Sequence, residues 1–283
     1  LEQNRRFGRL FFLCPQVQRG RKNGVLYIQA GFVYNDAMES LQANERLDDL
    51  QWGGLKIIQN PDLFCFGTDA VLLAGFVRTD AGDTVSDLGC GCGILSILIG
   101  GKNPKCRVYA VEIQKALADM ADRSVRLNGL ENVKIVCGDL KDMPGVFPRC
   151  NVVVSNPPYD RVGRGKASPN ESQRIARQEI RADFADIAHA AARLLGDGGR
   201  FYFIHRSERI DELFATLRSW KLAPKRMRFI HSKIGKKAKY VLVCAHKNGK
   251  EGVEVLPPLI VLDGSGNYTK EVRRIYGWEE TDG

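Results

Sequence analysis

Four residues in this chain have the types and order to grip an amino group: Asn156-Pro157-Pro158-Tyr159, directly after the apolar run Val152-Val153-Val154-Ser155. The prolines fix φ and leave carbonyls unpaired with any ladder, so acceptors at a strand end can face a ligand. Asn156 adds a side-chain carbonyl, and Tyr159 adds a ring face for stacking. Such a group holds a planar amine or amide by its N–H bonds and contains no base to remove a proton. Taken alone, it is also compatible with a plain strand-ending turn.

A second constellation lies upstream. Val85-Ser86-Asp87-Leu88 reads as a short strand, Gly89-Cys90-Gly91-Cys92-Gly93 as a turn, and Ile94-Leu95 as the start of an apolar helix. Glycine at every second position lets backbone approach a ligand where a Cβ would clash. A dinucleotide fingerprint would need glycine where Ile94 stands, and a G-x-x-x-x-G-K-[ST] phosphate loop is missing here. Glu112 closes the next strand, where an acid would accept both ribose hydroxyls, and Asp139 follows a third strand, where it could accept from an adenine amino group. Each acid alone fits a solvated strand end equally well; their shared placement favours a nucleoside cavity.

These residues need an alternating framework to bring them together, and the hydrophobic patterning supplies one. Strands are expected at 55–59, 84–88, 107–112, 133–137, 151–155, 200–204, 227–231 and 240–246, the last two antiparallel. Helices are expected at 93–99, 114–127, 183–195 and 208–220, the last with Trp220 in the core. Another helix follows Thr68 as N-cap, with Asp69 in its first turn. Asn128-Gly129 is a left-handed stop for the 114–127 helix. The pattern implies an α/β fold with a mostly parallel sheet. Residues 159–180, rich in Gly, Arg, Ser and Asn, read as a substrate lid.

The order of glycine loop, ribose acid, adenine acid and amino-group clamp resembles the class I S-adenosylmethionine-dependent methyltransferases. The Asn-Pro-Pro-Tyr tetrapeptide resembles their amino-methylating branch, in which it binds adenine N6, guanine N2 or glutamine N5. The resemblance covers roughly residues 55–246. Gln59 to Phe76, containing Phe66-Gly67-Thr68-Asp69-Ala70-Val71-Leu72, and Val255 to Val261 with Tyr268-Thr269 are similar to the bacterial tRNA adenine N6-methyltransferases. Those enzymes modify adenosine 37, just 3′ of the anticodon, in a valine tRNA.

The resemblance implies a seven-stranded, mostly parallel Rossmann-like sheet with helices on both faces and an antiparallel C-terminal strand. It implies S-adenosylmethionine as cofactor and the anticodon loop of a tRNA as substrate. Asn156, Pro157, Pro158 and Tyr159 would hold the target amine, with Asn156 also bordering the cofactor. Asp87, Gly89, Cys90, Gly91 and Gly93 would frame the methionine part, Glu112 beside Ile113 the ribose, and Asp139 beside Leu140 the cofactor adenine. Thr68 and Asp69 would line the same pocket. The methyltransferase domain would span 38–248, with a lid segment near 38–80 and a C-terminal extension at 249–283. A release-factor type glutamine N5-methyltransferase, a DNA adenine or ribosomal guanine N2 enzyme, and an RNA-binding module with an idle cofactor pocket remain alternatives.

Composition is consistent with that reading. The 283 residues are 44% hydrophobic and 27% charged, as in an ordinary soluble globule, and no apolar run approaches a membrane span. The expected compartment is the cytoplasm. Eight cysteines without a Cys-x-x-Cys pair read as free thiols rather than a metal site. The formal charge of +9 suits a polyanionic partner. Arg161, Arg164, Lys166, Arg174 and Arg177 follow the clamp, and Lys225, Arg226, Lys233, Lys236 and Lys237 form a denser basic stretch. These are the candidate RNA contacts, weighed against a merely solvated face. Residues 1–37 precede the first methionine, Met38, and read as an upstream extension; without their six basic and two acidic residues the formal charge is still +5.

Overall fold

The computed structural model describes residues 41–63, 65–159 and 182–278. A hairpin of β1 (Arg46–Asp49) and β2 (Lys56–Gln59) comes first, its strands antiparallel. The first described helix, α1 (Thr68–Phe76), follows. Then come β3 (Thr84–Leu88), α2 (Ile94–Lys102), β4 (Arg107–Glu112), α3 (Lys115–Leu127), β5 (Val133–Cys137) and β6 (Cys150–Ser155). Beyond residue 181 lie α4 (Phe184–Leu194), β7 (Leu195–Arg206), α5 (Ile210–Ser219), β8 (Leu222–His231) and β9 (Ala238–Lys247).

Seven of these strands form one sheet in the order β8-β9-β7-β6-β3-β4-β5, with β9 antiparallel to both neighbours and the rest parallel. Side chains alternate between two cores, as the two-residue period of a strand requires. Val152, Val154, Tyr202 and Ile204 face α1, α2 and α3, whereas Val153, Phe201 and Phe203 face α4 and α5. The inward stripe of α3 is Leu117, Met120, Ala121, Ser124 and Val125, a helical spacing, and Gly129 ends it at φ 61°. This is a Rossmann-like sheet with helices on both faces. Because its parallel strands all run one way, Gly89, Glu112, Asp139, Asn156 and Arg206 collect at a single edge.

The structure corrects several local expectations. Gly67, not Thr68, is the N-cap of α1, and no side chain caps it. The strand expected at 200–204 starts at Leu195, because one pairing with Cys150 precedes a register shift that accommodates residues 196–199. A 3-10 turn at Ser207–Arg209 takes the place of the first turn expected at 208–220. Trp220 is 36% exposed and stacks on His189, with centroids 4.1 Å apart, instead of joining the core. The hairpin partner of β2 carried no clear period and was not expected. It rests on α3 through Arg123 and Glu45 (2.6 Å) and through Ile58 N–H donating to Ser124 Oγ (2.9 Å).

The C-terminal segment completes the sheet, giving it nine strands. β10 (Glu254–Val255) and β11 (Leu259–Ile260) both pair parallel with β8, and α6 (Lys270–Tyr276) covers α1. Val272 and Tyr276 are buried there, and Glu271 accepts from Arg228 at 2.6 Å. The contact is tight at Gly75, where an added Cβ would lie 2.7 Å from Ile275 Cγ2. Gly75→Ala should therefore lower the melting temperature by a few degrees, since overpacking costs roughly 1–3 kcal/mol and alanine returns only about 1 kcal/mol of helix propensity. Adding Ile275→Ala should recover part of the loss in a thermal melt.

Candidate active site

The glycine loop turns between β3 and α2 with Gly89 at φ 73° and Gly91 at φ 57°, a region closed to most side chains. Gly89 N–H and Cys90 N–H both donate to Val111 O of β4 (2.9 and 3.0 Å). Gly91 N–H donates to Glu112 Oε2 at 3.0 Å, and Gln114 N–H donates to Glu112 Oε1 at 2.9 Å. Glu112 thus ties the loop to the start of α3, and each carboxylate oxygen retains a lone pair for a hydroxyl. Asp139 accepts from its own Lys141 N–H at 2.9 Å, which holds the turn after β5.

The clamp is tied from outside its own segment. Asp69, in the first turn of α1, accepts from the Tyr159 hydroxyl and, at 3.4 Å, from Asn156 Nδ2. The Tyr159 hydroxyl is also 2.7 Å from Asn156 Oδ1. Burial, and then the Asp69 carboxylate, push the Tyr159 phenol well above its ordinary range, so it stays protonated and donates. The Tyr159 ring packs on Tyr240 and His205, with centroids 5.2 and 5.5 Å away. Burial, and then the Arg209 charge, lower His205 to about 4. His205 Nδ1 accepts Arg206 N–H at 2.8 Å, so this neutral ring is a packing surface rather than a base.

Loop, acids and clamp enclose one cavity of about 520 Å³, within the usual range for small-molecule sites. Of the residues expected in the site, Asp69, Gly89, Gly91, Glu112, Ile113, Asp139, Leu140, Asn156, Pro157, Pro158 and Tyr159 line it. Thr68, Asp87, Cys90 and Gly93 do not. Thr68 hydrogen-bonds the Tyr276 phenol, and the backbone of Gly93 packs so closely on α3 that an added Cβ would lie 3.0 Å from Ala121 Cβ. Cys90 is buried, and burial raises its thiol well above the ordinary value. Asp87 is fully buried, with one oxygen accepting from Ser96 Oγ at 2.7 Å and the other without a partner. Burial raises Asp87 to about 7, the Ser96 bonds opposing and the Glu112 charge adding.

The sequence reading missed Leu63, Leu88, Val111, Leu117, Lys141 and Arg206, which also border the cavity. Leu88 ends β3 and Val111 is the penultimate residue of β4, both strands already recognised, so the two were legible as cavity wall. The basic stretch divides in two. Arg226 lies 4.8 Å from the Phe76 ring centroid and donates to Phe76 O, and Lys225 donates to the carbonyls of Lys250 and Glu251. Both are engaged with the fold, whereas Lys233, Lys236 and Lys237 are exposed in the turn between β8 and β9. Arg161, Arg164, Lys166, Arg174 and Arg177, the expected lid and the 1–37 extension lie outside the described residues. Among the described residues, no cluster of three or more His, Cys, Asp or Glu could hold a metal, and no helix is long and apolar enough to cross a membrane.

A family model described as methyltransferase small domain matches residues 54–212. A relative named tRNA1(Val) (adenine(37)-N6)-methyltransferase, from Flavobacteriaceae bacterium strain 3519-10, is 26% identical over 151 residues, covering 52% of this chain and 61% of that protein. Its namesake in Porphyromonas gingivalis strain W83 is 24% identical over 221 residues, covering 74% and 86% respectively. Among solved structures, one described as a predicted O-methyltransferase from Agrobacterium tumefaciens aligns with a TM-score of 0.61 at 23% identity. That alignment covers 74% of this chain and 96% of the other, a likeness of fold.

Proposed function

The chain belongs to the methyltransferase small domain family and is an S-adenosylmethionine-dependent methyltransferase; from that premise we propose that it methylates N6 of an adenosine in tRNA, at position 37 next to the anticodon. One observation carries the choice of an amine acceptor: Asn156, Pro157 and Tyr159 share a single cavity with Glu112, Asp139 and the glycine loop. The tRNA assignment draws support from the names of the two relatives and from the exposed lysines beside the site.

The residues present fit the cofactor. Glu112 offers lone pairs to ribose hydroxyls, Asp139 is an acceptor for an adenine amine, and Ile113, 41% exposed, gives an apolar wall for a purine. The unpartnered oxygen of Asp87 marks a buried acceptor next to the loop, suited to an ammonium group. S-adenosylmethionine bound there would supply an electrophilic methyl on a sulfonium.

The chain's own task is to aim the amine. An adenine N6 lone pair is delocalised into the ring and is a poor nucleophile. Carbonyl acceptors from Asn156 and Pro157 would hold both N–H bonds, localise that pair and point it into the cavity. Held this way, proximity can supply roughly 7–11 kcal/mol of the barrier. Asp69 would keep the Asn156 amide turned with its nitrogen toward α1, so that its oxygen, which the Tyr159 hydroxyl meets at 2.7 Å, has its second lone pair for the substrate. No base is needed before transfer, consistent with the neutral, occupied His205.

The reading is tested by incubating the protein with labelled S-adenosylmethionine and unmodified tRNA, then digesting to nucleosides for mass spectrometry. N6-methyladenosine is the expected product. Label appearing only in a glutamine-containing release factor offered in parallel would overturn the assignment.

A further inference from the structure

Arg206 ends β7 beside the clamp and borders the cavity. Its guanidinium lies over the rings of Tyr159 and Tyr240, 5.5 and 5.4 Å from their centroids. Of the other arginines partly shielded from solvent, Arg123, Arg200, Arg209 and Arg228 each reach a carboxylate, on Glu45, Asp83, Glu212 and Glu271, within 2.7 Å, and Arg226, away from the cavity, donates to the Phe76 carbonyl. Among the described residues, Arg206 has no such acid. Ring contacts occupy the faces of a guanidinium and leave its five N–H donors at the edge for an acceptor. An arginine held by aromatic faces at the cavity wall, without a counter-ion among the described residues, is arranged to receive an anion from outside.

The surroundings extend that positive edge. β8 and β7 run the same way, each antiparallel to β9, so the turn at 232–237 leaves the sheet at the same edge as Arg206 and the strand ends that line the cavity. It carries Lys233, Lys236 and Lys237, all exposed, and Lys239 lies 5.1 Å from the Tyr240 ring centroid. A base reaching the clamp brings its sugar-phosphate to the mouth of the same cavity, whereas a glutamine side chain brings only neutral peptide.

We propose that Arg206 is a phosphodiester-binding residue for the nucleotide whose base enters the clamp, so that the cavity mouth selects nucleic acid over polypeptide. The inference rests on the amine-methylating reading above. Tyr159 and Tyr240 hold the guanidinium, and the lysines of the 232–237 turn steer the backbone past it.

The test is direct binding of a fluorescein-labelled anticodon stem-loop RNA to wild type, Arg206→Gln and Arg206→Lys across a salt series, with S-adenosylmethionine affinity measured separately by calorimetry. Arg206→Gln should weaken RNA binding about tenfold at low salt. The slope of log affinity against log salt should become shallower by roughly 0.7–0.9, the equivalent of one phosphate contact. Arg206→Lys should restore the slope but only part of the affinity, because a point charge replaces the planar fork. Cofactor affinity should be the same in all three. Wild type that methylates adenosine while Arg206→Gln binds RNA with unchanged affinity and slope overturns the inference alone. Wild type that neither binds the RNA nor methylates adenosine overturns both this inference and the reading beneath it.

Discussion

Asn156→Ala should slow methyl transfer to adenosine by roughly 10²–10³-fold, the effect of removing one preorganised polar group from a reacting centre. Its affinity for S-adenosylmethionine should stay nearly the same. The separation follows from geometry. Asn156 reaches the cavity from the end of β6 beside Tyr159, whereas the acids proposed for the cofactor sit at the ends of β4 and β5. Losing the amide also frees the Tyr159 hydroxyl from one of its two neighbours but leaves Asp69 to hold it. Asp69→Asn is the companion variant. It keeps the shape but can present an amino group to Asn156 and Tyr159, so the clamp loses the one partner that distinguishes the two ends of the Asn156 amide. Its turnover should fall less than that of Asn156→Ala, again with cofactor binding intact. Single-turnover transfer with labelled cofactor and calorimetric titration separate the two effects, and wild-type turnover in Asn156→Ala would sink the assigned role.

The part of this site that was legible in sequence is the part written as strand endings. Strands β3, β4 and β5 match their expected limits, because alternation and β-branched runs fix a strand locally and the residue after it must then lie at the carboxyl edge. Glu112, Asp139 and Asn156 follow from that logic alone. Asp69 was expected in the pocket, but its bond to Tyr159 spans 90 positions and leaves no local trace. Arg206 was invisible for a related reason: its meaning comes from two rings and the lack of an acid among the described residues, and a single arginine after an apolar strand says neither. The basic stretch shows the opposite failure. Arg226 was expected as an RNA contact, yet it packs on Phe76, and Arg228, two residues on, pairs with Glu271 from the C-terminal helix. That helix of seven residues has too few turns to show a period, and its burial depends on a groove over α1 that exists only after folding.

Asp87 gives the other large prediction, and its sign follows from where the carboxyl sits. It is fully buried with one oxygen unpartnered, and burial raises it from an unfolded value near 3.8 to about 7. A carboxyl raised on folding favours the protonated native state, so its contribution is intact below the unfolded value and is lost as pH climbs through the window from about 4 to 7. Three pH units correspond to about 4 kcal/mol. Asp87→Asn carries no charge at any pH, so its stability lacks this slope. Between pH 4 and pH 8, denaturant titrations should show the stability difference moving by about 4 kcal/mol in favour of the variant. The same substitution should weaken S-adenosylmethionine binding, because a buried carboxylate with an empty acceptor position suits a cationic donor and an amide does not. A stability difference that does not move with pH would show that Asp87 titrates normally. A variant that becomes relatively more stable yet binds the cofactor as well as wild type would make Asp87 a strut between β3 and Ser96 of α2 rather than part of the binding site. Stability gained together with affinity lost is the expected pair, since a carboxylate kept in the core at such cost, where an amide would serve the fold, needs a partner that only the ligand provides.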